Sequence, residues 1–355
     1  MGLRAFLRKE RYASRRNLAV LVLLLVVLPG AAAFGTTAFQ HSLPENVPIG
    51  IAPQDETVTE DELGVVSGGV ATQATPKTYD STADARHALS REEVYLVIEV
   101  PPDLFDEEAN ATVTVVSDQR LVTFQEPSEL IVAAIDDQLD RQLPATIDAE
   151  HERIGDDYSL SEYLIPTGLL TIVVLFTFLY LPFEVRQERA VFERVALTSR
   201  IEAAVGAKLV HYGVLMVVPL STFQLVSLYL GYDVSHFTVD TFAVLGVTVV
   251  ALAATSTAVM FAFRLRRIGL FVNLALLTGT VVFSGLVYPV GFFSLLRLRI
   301  VRSLPTHYAM IITRSTMTKD ASLVLFADWM VGLVGCAVLA VLALQASIVY
   351  YRRTM

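Results

Sequence analysis

Six stretches of this chain contain no Asp, Glu, Lys or Arg: 17–40, 163–183, 209–232, 241–263, 268–296 and 329–351. The shortest is 21 residues long. About 20 helical residues, rising about 1.5 Å each, cross a hydrocarbon core of about 30 Å. Every backbone polar group must be paired internally at that depth, so long continuous apolar runs cross as helices. The sequence therefore predicts an all-α polytopic membrane protein with six transmembrane helices. Its 54% hydrophobic content exceeds what a soluble domain of this length carries.

Charge divides the chain further. The net charge is −9, yet residues 40–162 hold 27 Asp and Glu against 6 Lys and Arg, a balance of −21, and the remainder sums to +12. An acidic aqueous domain is thus set into a basic membrane protein. The segment 1–16 is basic, with Arg4, Arg8, Lys9, Arg11, Arg15 and Arg16 against Glu10. Short basic flanks stay in the cytoplasm, which places 17–39 as the first span and 40–162 outside. The second span returns to a loop with Arg186, Arg189, Arg194, Arg200 and Lys208, and the fourth ends in Arg264, Arg266 and Arg267. Both termini are then inside, and 163–355 forms a five-helix membrane domain. The first apolar run, with its basic lead, Pro-Gly break and small residues, also fits a cleavable signal peptide.

One segment disagrees with this topology. Residues 291–328 fall outside yet contain Arg297, Arg299, Arg302, Arg314 and Lys319. The fifth run is too long for one straight span, and Pro289 and Gly291 are expected to break it. Residues 290–313 are then expected to dip back into the outer leaflet, where irregular backbone needs protein or water around it.

In the acidic domain, VPIGIA, VYLVIEV and ATVTVVSD read as strands, and STADARHALSRE and PSELIVAAIDDQLDRQL as helices. This predicts an inserted extracytoplasmic α/β domain. The acidic patches 55–62 and 103–108 lack calcium-loop spacing and read as solvated faces. Asn110-Ala111-Thr112 is a glycosylation acceptor pattern on the permitted side.

The sequence has no phosphate-cradling G-x-x-x-x-G-K-[ST], no zinc-spaced histidines and no G-x-S-x-G elbow. Its one cysteine, Cys336, excludes an internal disulfide. Gln224 and Asn273 lie deep in apolar runs. Each is read either as an interhelical hydrogen bond or as a lining of a substrate pathway.

Between the second and third spans stands FEVRQERAVFERVALTSR, with three glutamates and four arginines. As a helix it sets Val191 and Val195 on one face, with Phe192 and Ala196 beside it, and can lie along the membrane surface with an apolar side down. Exposed pairs such as Arg189 with Glu193 are worth only about 0.3–0.5 kcal/mol. A face of both signs is better suited to selecting a docking partner and fixing its register.

These residues resemble the permease subunits of the ABC type 2 transporter family. Glu188, Glu193 and Thr198 match the family's cytoplasmic loop, followed by Gly206 and Lys208; Ala190-Val191 stands in place of its Gly-Thr. Ser284, Gly285 and Pro289, then Pro305, Tyr308 and Arg314, match the pattern after its fifth span. The order of DARHAL, VYLVIEVPPDLF and Asp118 resembles its outside domain. The resemblance implies a pore of two permease subunits, alike or related, in the plasma membrane. Each would be bound to a cytoplasmic ATPase that alone carries ATP and Mg, so this chain would bind no cofactor and no nucleic acid. Loop 184–208 would couple to that ATPase through Glu184, Glu188, Arg189, Glu193 and Arg194. Ser284, Gly285, Pro289, Pro305 and Tyr308 would shape an outer gate, and export is the implied direction. A receptor sensing through its outside domain and an ATP-independent secondary transporter are the alternative readings.

Overall fold

A computed structural model describes residues 47–72, 74–102, 104, 110–142, 146–198, 201–286 and 295–354. The basic segment 1–16 and the expected first span 17–39 lie outside the described residues.

The acidic domain is built on five strands: β1 (Pro48–Pro53), β2 (Thr75–Thr78), β3 (Leu96–Val100), β4 (Asn110–Asp118) and β5 (Thr146–Ile154). Their order in the sheet is β2-β1-β3-β4-β5. β1 runs parallel to β2 and β3, β4 antiparallel to β3, and β5 parallel to β4. The strands expected from β-branched runs are β1, β3 and β4. β2 reads TPKT, and its proline and lysine suit an edge, where a missing N–H and a charge guard against further pairing. β5, TIDAEHERI, forms the opposite edge.

Helix α1 (Glu60–Val70) begins inside the patch 55–62 that the sequence presents as a solvated face. Thr59 and Glu62 form a reciprocal capping box there. Glu62 is buried and also accepts the Leu104 N–H at 3.0 Å. α2 (Thr82–Ser90) and α3 (Gln125–Gln142) are the two helices expected. α2 packs Ala85, Ala88 and Leu89 against Val97 and Val116 on one sheet face. The opposite face meets Val66, Val70 and Val132, and this core continues into Tyr163 and Val301 of the membrane portion. The sheet domain therefore sits on the helix bundle and shares a core with it.

Ser159 and Glu162 form a second capping box that starts α4 (Leu160–Leu175). The helix continues through one wide turn, Phe176–Tyr180, into α5 (Leu181–Gln187). Pro182 explains the wide turn: it has no N–H to give to the carbonyl four residues back and its ring crowds that carbonyl. Further along lie α6 (Arg189–Thr198), α7 (Ile201–Leu215), α8 (Val217–Tyr229), α9 (Val239–Ala262) and α10 (Arg267–Phe283). The short helices α11 (Leu295–Val301) and α12 (Pro305–Thr318) precede α13 (Ala327–Arg353).

Among the described residues, four helical stretches are long and apolar enough to cross a membrane: Leu160–Gln187, Ile201–Tyr229, Val239–Ala262 and Leu323–Arg353. The apolar helix α10 is shorter. α9 is the central one, with 72% of its apolar window buried, against 17% for α7–α8 and 22% for Leu323–Arg353. The last two consequently turn most of their apolar surface outward, towards lipid or another protein. The fifth uncharged run breaks at Ser284 and Gly285, where Gly285 takes φ +68. That is earlier than the expected break at Pro289 and Gly291, which lie outside the described residues. Glycine tolerates this left-handed conformation without steric cost.

α9 ends in a tight turn in which Arg264 and Leu265 both have φ +54. The Leu265 N–H donates to the Met260 carbonyl at 2.7 Å and the Arg264 N–H to the Phe261 carbonyl at 2.9 Å, closing the helix end. Each such left-handed non-glycine residue costs about 1–2 kcal/mol.

Candidate functional site

The bundle presents two places where charge is concentrated, one at each end. At the end remote from the sheet, the mixed-charge stretch is two helices rather than one. α5 stops at Gln187, Glu188 forms the turn, and α6 starts at Arg189. Of the apolar side expected, Phe192 and Val195 pack inward and Val191 does not. Val191 is 47% exposed, whereas Phe192 is buried and meets Phe261 edge-on, with ring centroids 5.5 Å apart. Phe261 in turn meets Tyr351 at 5.3 Å. Leu181, Val185, Ile201, Val205 and Ile348 complete this apolar floor. Burying a phenylalanine side chain is worth about 1.5–3 kcal/mol, more than the exposed ion pairs on the helix supply, so Phe192 fixes how α6 lies.

The five residues expected to couple do not act alike. Glu184 faces inward and accepts a hydrogen bond from the Tyr212 hydroxyl at 3.2 Å. Glu188 pairs with Lys208 at 2.7 Å, so the far end of the loop is tied to its turn. Lys208 is nearly buried while Glu188 is 45% exposed. Arg189 donates to Glu193 at 2.7 Å along α6, and Arg194 to the Ala190 carbonyl at 3.3 Å. Arg189, Val191 and Arg194 are exposed, and Glu193 is half-buried. The result is a short helix with a fixed backbone and a charged outer face.

At the other end, the turn after α2 grips the bundle. Glu92, at φ +55, sends its buried carboxylate to Arg314 of α12, with contacts of 2.9 and 3.1 Å. Both side chains are almost wholly buried, and the Arg314 guanidinium lies 4.7 Å from the centroid of the Tyr163 ring. A second buried pair joins Asp118 at the end of β4 to Lys319 at 2.9 Å. Lys319 Nζ also donates to the Ser90 carbonyl at 3.1 Å. Beside them Arg91 pairs with Asp328 at 2.8 Å and lies over Trp329 at 4.6 Å. Two of the five basic residues that looked misplaced for an outside segment, Arg314 and Lys319, thus have acidic partners in the sheet domain. The rule counts lysines and arginines in short loops; it does not see that a folded acidic domain neutralises them.

Burial by itself raises the Asp118 pKa, but Lys319 and Arg120 outweigh it and the carboxyl titrates below its ordinary value. The stabilisation from this pair is therefore fully present above about pH 4 and is lost as pH falls through the lower folded value. The hydrogen-exchange protection factor at the C-terminal end of α12, with the intrinsic pH dependence of amide exchange divided out, is expected to stay flat from neutral pH down to about pH 4 and to fall only below it.

The residues expected at an outer gate lie near this dock. Pro305 opens α12 at a position where its missing N–H costs nothing. The Tyr308 hydroxyl donates to the Arg302 carbonyl at 2.9 Å, and its ring meets Trp329 at 5.2 Å. Ser284 caps α10 and is buried, Gly285 makes the turn, and Pro289 lies outside the described residues. Gln224 is buried in the bundle and accepts the Phe237 N–H. Asn273, also buried, donates to the Gly269 and Ser256 carbonyls at 2.9 and 3.3 Å. Each makes the bonds of a structural amide while leaving one polar atom unpaired by protein, Gln224 Nε2 and Asn273 Oδ1. Asn110 begins β4, its backbone opposite Thr146.

Long apolar helices carrying an inserted sheet domain define a polytopic membrane protein. The chain belongs to the ABC-2 family transporter proteins, whose family model matches residues 18–344. It is accordingly an integral membrane transport subunit, and the family implies partnership with an ABC ATPase and with the membrane. No curated protein matches the chain. No solved structure matches it.

Proposed function

We propose that this chain is the membrane-spanning permease of an exporter driven by a separate cytoplasmic ATPase, which docks on α6 and its flanking turn. The observation that carries this reading is the construction of that helix. Phe192 and the apolar floor hold it against the ends of α7, α9 and α13, while its charged side faces outward with Arg189 and Arg194 exposed. A push on such a helix moves the bundle rather than bending a loop. ATP and Mg would be bound by the partner, and this chain would contribute no catalytic group. A second permease would cover the outward apolar faces of α7–α8 or α13, and Gln224 and Asn273 would line or brace the route between the halves. The sheet domain, locked to α12 by buried ion pairs, would face the exterior of the plasma membrane and follow the outer gate.

The test is to express the tagged chain with its ATPase, purify in mild detergent, reconstitute, and follow ATP-dependent transport. The expected result is stoichiometric co-purification, and access of an impermeant thiol reagent to a cysteine at Ala190 only from the cytoplasmic side. ATP hydrolysis by the chain alone, or labelling at Ala190 from outside, would overturn the reading.

A further inference from the structure

The bundle end that carries α6 also holds a cavity of about 360 Å³ lined by Arg186, Gln187, Arg189, Leu265, Arg266 and Arg267. Four guanidinium groups converge on it from two separate places, the end of α5 and the turn between α9 and α10. Arg189 spends one donor on Glu193. Arg186, Arg266 and Arg267 make no ion pair with any described residue. The two consecutive left-handed residues, Arg264 and Leu265, are what swing Arg266 and Arg267 towards α5, with Leu265 buried as the pivot. Arg266 is also the N-cap of the 17-residue helix α10 and supplies no side-chain cap, so the positive end of the helix dipole adds to the same field.

Depth says what kind of anion this is. The stretch Leu160–Gln187 has 28 residues, about 42 Å of helix against a hydrocarbon core of about 30 Å and about 40–45 Å with headgroups. Arg186 lies one residue before its end, at the headgroup level. An aromatic belt marks the boundary: Phe176, Tyr180 and Tyr212 have ring centroids 5.3–5.9 Å apart, and Arg264 lies 5.8 Å from the Tyr350 ring. Planar guanidinium groups bind phosphate through paired hydrogen bonds, and basic pockets between helices at this depth hold anionic lipid heads.

We propose that this cavity binds the phosphate of an anionic phospholipid from the adjoining leaflet. The site is separate from ATPase docking except that both use Arg189, and the two are distinguished by measuring them together. The full-length chain with its ATPase is placed in phosphatidylcholine nanodiscs containing a minor fraction of spin-labelled phosphatidylglycerol, and motionally restricted lipid is quantified. The wild type is expected to retain phosphatidylglycerol in preference to labelled phosphatidylcholine, and millimolar inorganic phosphate is expected not to displace it. The R186Q/R266Q/R267Q variant is expected to lose roughly a hundredfold in that preference, about fivefold per charge removed. An Arg353→Gln control is expected to keep it. Equal retention of both lipids, wild-type retention by the triple variant, or displacement by inorganic phosphate would each overturn the proposal. So would a triple variant that keeps the lipid but loses the ATPase, because the arginines would then serve the protein partner.

Discussion

Replacing Arg314 by methionine is expected to destabilise the folded chain by about 3–5 kcal/mol. Glu92 would be left buried, its carboxylate facing an apolar side chain where a guanidinium stood at 2.9 Å. Removing the charge from water is the larger part of that cost, so losing one partner is worse than losing both. The double variant Glu92→Leu with Arg314→Met is therefore expected to recover most of the loss, since apolar replacements of a buried pair are often neutral or stabilising by about 1–4 kcal/mol. Reversible unfolding in mixed micelles, followed on the wild type, each single variant and the double, gives the coupling directly. A single variant as stable as the wild type would mean that water reaches Glu92 and that the sheet domain is not sealed onto α12. Recovery of stability without recovery of transport in the double variant would show that the pair serves the motion of the outer gate as well as the fold.

That contact also shows where the sequence was readable and where it was not. Four of the six expected spans were legible because a bilayer imposes one length and one polarity on each of them: the runs starting at 163, 209, 241 and 329 all fall in long helices. β1, β3 and β4 were legible because their β-branched residues are buried within the sheet. α1 was hidden because its first turn is acidic, and charge that reads as a solvated face is also what a helix N-terminus favours. β2 and β5 were hidden because edge strands are selected against looking like strands. In the mixed-charge loop the helical projection put Phe192 and Val195 on the side that packs, but it also put Val191 there, which is exposed, and it did not foresee the break at Glu188 that divides the stretch into α5 and α6. The pairs Glu92–Arg314 and Asp118–Lys319 span more than 200 residues of chain each, and no local pattern announces a contact of that kind.

Reversing both Glu188 and Glu193 to lysine is expected to lower ATP-driven transport at least roughly a hundredfold and to release the ATPase, because like charges set against a complementary partner cost several kcal/mol. Membrane insertion is expected to be unchanged, since the floor under α6 is held by Phe192 and its apolar neighbours rather than by these carboxylates. The reversal nevertheless has an internal effect as well. Glu188 pairs with Lys208 and Glu193 with Arg189, so the double variant also places cations together within the loop. Exposed pairs of this sort are worth about 0.2–1 kcal/mol, too little for a hundredfold loss, but the point is decided by exchanging Glu188 and Lys208. The exchanged chain keeps its internal pair and presents the opposite charge at the half-exposed position, because Lys208 is nearly buried and Glu188 is not. If the ATPase reads that charge, the exchange of Glu188 and Lys208 stays impaired; if the charge only staples the loop, the exchange restores transport, and docking must then rest on Arg189, Val191 and Arg194.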